Sequence, residues 1–121
     1  EAFRRGGGGG KKLVAQVALN WAPTDEEALA GAHEQWRFNT IGGDVNWELR
    51  LPEHFDSATR FVRPEDVRKS VWVSSDLGWH AERIAELAEV GFDEIQLHQV
   101  GRNQKAFIDA FGERVLPALR R

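Results

Sequence analysis

The sequence predicts an α/β domain built on parallel strands with helical crossovers, and three observations carry the prediction. Leu13 to Asn20 alternates, with Leu13, Ala15, Val17 and Leu19 on one face and Val14, Gln16, Ala18 and Asn20 on the other, the period of a strand. Phe92 to Val100 alternates too, with Ile95 and Leu97 opposite Gln96 and His98. Helical patterns flank the second run closely on both sides, so the order reads strand, helix, irregular insertion, helix, strand, helix. In both strands one face turns more polar toward the C-terminal end, where ligands bind in parallel α/β sheets and barrels.

Composition bounds the functional classes. A chain of 121 residues, 41% hydrophobic and 29% charged, supports one small domain. Its net charge of −3, with the charges interspersed, argues against a general nucleic-acid or membrane-surface binder. Without cysteine there is no disulfide framework, thiolate metal site or thiol nucleophile, and a reducing cytoplasm is the expected location. No apolar run approaches the ~20 residues of a membrane span. The opening EAFRRGGGGG has no signal-type apolar core, and the chain reads as though cut from something longer.

Residues 1–11 form a glycine-rich entry. Gly10-Lys11 invites a phosphate-loop reading, but Arg5 and Lys12 stand where that pattern needs Gly and Ser or Thr, so the run reads as a connector after a helix ending near Arg5. After the first strand, Pro23 and Thr24 open a helix, with Thr24 and Glu27 spaced as a capping box and Ala28, Leu29, Ala32 and Trp36 on one stripe. His33-Glu34 begins a zinc-type HExxH that Arg37 breaks. Residues 38–70 are an insertion: Val45, Trp47, Leu49 and Leu51 alternate, while Pro52 and Pro64 look like first turns of short helices. Insertions of this length serve as lids or binding loops, which makes Trp47, His54 and Phe55 candidate contacts.

Val71 to Val73 is a short extended run, and Ser74, Ser75 and Asp76 supply caps for a helix over Leu77 to Val90 that Gly91 stops. Ala81, Ile84, Leu87 and Ala88 form its stripe. After the second strand, Asn103 caps a last helix from Gln104 to Arg120, with Phe107, Phe111, Val115 and Leu119 at four-residue steps and Pro117 bending its final turn. Two parallel strands leave both sheet edges without partners, so something must cover them.

The segments VALNWAPTDEEALAGAHEQW, RPEDVRKSVWVSSD and GFDEIQLHQVGRNQKAFIDAFGERVLPALRR resemble the C-terminal part of the luciferase-like flavin or deazaflavin oxidoreductases, nearest the branch of deazaflavin-dependent sugar-phosphate dehydrogenases. The resemblance implies a (β/α)8 barrel with a late insertion. It makes residues 1–121 a single C-terminal segment carrying the last two β/α units, in which 38–70 is the insertion. The family's catalytic His, Trp and Glu lie in a part with no counterpart here, so no catalytic residue is assigned; Asn20, Trp21, Trp47, Gln96 and His98 are expected to face cofactor or substrate.

The implied cofactor of the intact parent is a deazaflavin of the coenzyme F-420 type or FMN, and the implied function is hydride transfer to or from a small organic molecule. The sugar-phosphate branch uses a Lys in the insertion and an Arg just before the VxS segment. Here Phe38 to His54 has no Lys and Ser70 stands at the Arg position, so the expected substrate is not a sugar phosphate. The alternative is a non-catalytic truncated module that self-associates or pairs with another barrel. In either case the chain is expected to oligomerise or to join the rest of a barrel, with no metal, nucleic acid or membrane partner.

Overall fold

The computed structural model describes residues 1–120. Its sheet has three parallel strands, β1 (Val14–Asn20), β2 (Trp72–Val73) and β3 (Glu94–Gln99), in the order β2-β1-β3. β1 and β3 pair along their length, from Val14 opposite Glu94 to Leu19 opposite Gln99. The short extended run at Val71 to Val73 is a third strand: Trp72 and Val73 pair with Leu19 and Asn20 at the C-terminal end of β1. The carbonyls of Leu13 and Leu19 accept from Asp93 and Val100 on the β3 side, while that of Asn20 accepts from Ser74 on the β2 side. Main-chain groups alternate along a strand, so Val14 and Gln16, with the amide of Ala18, aim theirs at an edge that β2 does not reach.

Both faces of the sheet are covered at its C-terminal half. On one, Leu19 is fully buried against Ile84 of α4 (Leu77–Glu89) and against Phe107, Phe111 and Val115 of the last helix, with Ile95 and Leu97 beside them. The four-residue step of Phe107, Phe111 and Val115 places them on one side of that helix, as the spacing predicts. The last helix runs as α5 (Gln104–Ala110), a π-type turn over Phe111–Val115 and α6 (Leu116–Leu119). The turn lies just before Pro117, which has no amide hydrogen and would clash with a regular preceding turn.

On the other face α1 (Asp25–Trp36) lays Ala28 and Ala32 against Val71, Val73 and Val100. Thr24 caps it, its hydroxyl accepting from Glu27 N at 3.2 Å. Alanine at these positions lets the helix axis come close to the strands. The face was expected to be open toward a ligand, and its upper half is instead packed by this helix.

The insertion folds on itself. A 3-10 turn (Arg37–Thr40) leads to α2 (Gly43–Glu48) and α3 (Pro52–Ala58), and a second 3-10 turn (Pro64–Lys69) buries Val67 against α1. The alternating run Val45 to Leu51 does not become a strand: no partner strand lies beside it, and a helical turn satisfies the backbone locally. Pro52 and Pro64 do open helical turns, as their positions predict. Gly91 closes α4 with φ of +98°, a left-handed conformation that favours glycine. At the glycine-rich entry a π-type turn (Arg4–Gly8) seats Gly8 under the Phe3 ring so closely that a Cβ there would meet the ring at 2.5 Å.

Candidate functional site at the strand ends

The C-terminal ends of all three strands meet in a set of neutral hydrogen bonds. Where β1 ends, Gln99 of β3 reaches across, its Oε1 accepting from Trp21 N at 3.0 Å and its Nε2 donating to Trp21 O at 2.9 Å. The side-chain amide thus stands in for one more residue of strand. Asn103 doubles the contact, donating to Trp21 O at 2.9 Å and accepting from Gln99 at 2.8 Å. Gln104 in turn donates to the carbonyls of Gln99 and Gly101, at 2.9 and 2.6 Å.

Trp21 ties this group to β2, its indole donating to Ser75 O at 2.9 Å. Ser75 N donates to Asp25 at 2.7 Å, and this bond holds the Asp25 carboxyl below its ordinary value. Asp76 caps α4 by accepting from Gly78 N and Trp79 N. His80 is fully buried, and its Nε2 lies 3.0 Å from Ser74 O. A carbonyl only accepts, so Nε2 carries the proton, and Nδ1 is left without a partner. Burial pushes this imidazole below its ordinary value.

The expected ligand-facing residues part company here. Asn20 is 1% exposed and bonded inward: Nδ2 donates to Ala28 O at 2.6 Å and Oδ1 accepts from Gly101 N at 2.8 Å. α1 covers Asn20, whose side chain bolts helix and strand together. Trp21 is half-buried at the strand ends. Gln96 is exposed and donates to Glu94 at 3.0 Å, while His98 is half-buried with its ring edge-on to Trp36 at 4.9 Å. Trp47, 88% exposed, sits apart from all of these. α1 begins at the strand ends but the insertion departs from its far end, and twelve residues of helix span roughly 18 Å. His54 is exposed on α3, and Phe55 packs edge-on against Phe38 within the insertion.

Gln99 was not singled out from the sequence, and Asn103 and Ser75 were read only as helix caps. Gln99 carried a signal, because it follows Ile95 and Leu97 on the apolar face and a polar residue there must find partners. Asn103 was read as a helix cap, but its side chain makes no cap bond. Among the described residues no group of three or more His, Asp or Glu side chains gathers as a metal site, and no helix is long and apolar enough to cross a membrane.

No protein-family model matches the chain. It is 41% identical over 104 residues to the F420-dependent glucose-6-phosphate dehydrogenase of Microbacterium testaceum, covering 84% of this chain and 26% of that protein. The similarly named protein of Beutenbergia cavernae is 38% identical over 108 residues, 89% of this chain and 32% of its own length. The chain thus spans about a quarter to a third of these relatives. Among solved structures, an F420-dependent secondary alcohol dehydrogenase in complex with an F420-acetone adduct superposes with a TM-score of 0.75 at 18% identity, over 98% of this chain and 36% of that one.

Proposed function

Because this chain belongs to the luciferase-like, deazaflavin-dependent oxidoreductases, and its parallel strands form a segment of their TIM barrel, we propose that it closes the barrel of a parent that moves hydride between a deazaflavin and a small organic substrate. The observation that carries the proposal is the 41% identity to a deazaflavin-dependent dehydrogenase over 84% of the chain. When bound, the deazaflavin supplies a two-electron hydride acceptor.

The residues present fit such a group. His98 has no hydrogen-bond partner among the described residues, and the Gln96 carbonyl oxygen is likewise uncommitted. An amide and an imidazole two positions apart on β3 suit the carbonyl and imide edge of a flavin-like ring as hydrogen-bond partners. Trp21, held by Gln99 and Ser75, packs with Leu19 and Phe107 on the opposite face of the sheet. In this reading Gln96 and His98 orient the ring, residues 38–70 are a peripheral insertion, and proton transfer belongs to groups outside this chain.

For the substrate we favour a neutral alcohol or carbonyl compound over a sugar phosphate. Arg68, two residues before Ser70, is bonded to Glu65 and to Val73 O, both at 2.9 Å, so that cation is already compensated. The test is to express the full reading frame containing this chain and mix it with oxidised deazaflavin and either secondary alcohols or sugar phosphates. Bleaching of the deazaflavin with alcohols alone is the expected result. Bleaching with sugar phosphates alone overturns the substrate assignment, and turnover with FMN but not deazaflavin overturns the cofactor.

A further inference from the structure

Of the two side chains proposed to meet the ring, Gln96 is steadied by its bond to Glu94, whereas His98 has no hydrogen-bond partner among the described residues. The torsion onto a flat imidazole is broad and nearly two-fold, so an unbonded ring can turn over and exchange its two nitrogens at the open side. A defined contact therefore needs something other than a hydrogen bond to fix the plane of this ring.

The end of α1 supplies it. Trp36, the last residue of that helix, stands edge-on to His98, with 4.9 Å between ring centroids and 86° between planes. The stripe of α1 otherwise meets the sheet through Ala28 and Ala32, both fully buried, while Trp36 is far larger and only half-buried, so core packing leaves part of its ring over. On β1 the residue opposite His98 in register is Ala18, whose methyl gives the imidazole no polar partner. Glu34, two residues before Trp36, pairs with Arg102 at 3.1 Å and ties this end of the helix to the chain leaving β3.

We propose that Trp36 is a positioning residue for the ring site: its edge-on contact holds the His98 imidazole in one plane, so that one nitrogen is presented to the flavin-like ring. This rests on the reading of His98 as a ring contact. Losing one edge-to-face contact weakens cofactor binding about three- to tenfold.

Nuclear magnetic resonance on this chain and a fluorescence titration of the full reading frame with oxidised deazaflavin test the proposal. In this chain the Trp36 indole and His98 imidazole protons should show a nuclear Overhauser contact, and Trp36→Leu should broaden or split the His98 signals. In the full reading frame Trp36→Leu should raise the deazaflavin dissociation constant about three- to tenfold, and Trp36→Phe should restore most of the loss. Leu29→Ala, which thins the same apolar cluster two turns back along α1, should lower the melting temperature without moving that constant. In a His98→Gln background Trp36→Leu should add nothing, because the ring it holds is gone. No Overhauser contact, an equal loss from Leu29→Ala, or the same loss in the His98→Gln background overturns the role of Trp36 and leaves His98 as a ring contact. Unchanged deazaflavin affinity in His98→Gln alone overturns the reading of His98, and the role of Trp36 falls with it.

Discussion

Asn20 is where the chain spends buried polarity. A carboxamide with both ends bonded costs little inside a protein, but removing it strands the Ala28 carbonyl and the Gly101 amide away from water. Asn20→Leu should therefore lower stability by ~2–4 kcal/mol, read as a shift of the chemical denaturation midpoint; a change near zero would mean that α1 does not hold this position in solution. His80 makes a second prediction. Its pKa is lowered in the fold, so the unfolded chain takes up the proton first; the stabilisation is complete above the ordinary value of 6.5 and is lost as the pH falls below it. Denaturation midpoints measured across that range should fall on acidification in the natural chain, and His80→Gln, which keeps a donor for Ser74 O, should flatten the slope. Asp76, the cap beside it, opposes this shift without reversing it.

The three strand ends depend on each other through Gln99. Gln99→Leu keeps the volume but leaves Trp21 N–H without its acceptor and Trp21 C=O to Asn103 alone, so the strand ends should loosen and Trp21 emission should move to the red, with ~1–3 kcal/mol of stability lost. Gly101 allows even less freedom, because an added Cβ would collide with Asn20 Oδ1. Gly101→Ala is expected to cost as much as the Asn20 change and to add little to it, since both break one contact, and a double-mutant cycle checks this. The helices and the two long strands were legible in the sequence because period, caps and stops agree: Thr24, Asp76 and Gly91 each act as their residue type predicts. β2 was legible only as a short extended run, since two residues cannot display a period and their pairing depends on where the chain returns after the insertion. The helix at Gly43–Glu48 was not legible for a related reason, as alternation over four apolar positions cannot show whether a partner strand exists.

For the molecule as a whole, the candidate site was legible only as a region. Polar residues at strand ends marked the place, but their partners sit on α1 and on the turn after β3, contacts across the chain that spacing does not reveal. Asn20 and Gln99 became structural and Gln96 and His98 stayed accessible, a division that burial decides and composition does not. Since the proposed ring would touch this segment at few residues, the isolated chain should bind oxidised deazaflavin weakly. An equilibrium fluorescence titration giving submicromolar affinity would show that this segment alone builds most of the site.

The alternating backbone of β1 has a consequence for the chain's fate in a cell. With Gln16 and Ala18 directing their amides at an uncovered edge, those hydrogens should exchange quickly while Val17 and Leu19, bonded toward β3, stay protected. Such an edge is a template for recruiting foreign strands into aggregates, and an uncharged Val-Ala-Gln-Val-Ala run is a good substrate for that process. Two features limit it. β2 closes the last two positions, and Lys11 and Lys12 place charge at the other end, where a growing stack would have to bury it. The open stretch is five residues long, so protein quality control has a short and guarded target rather than a full strand.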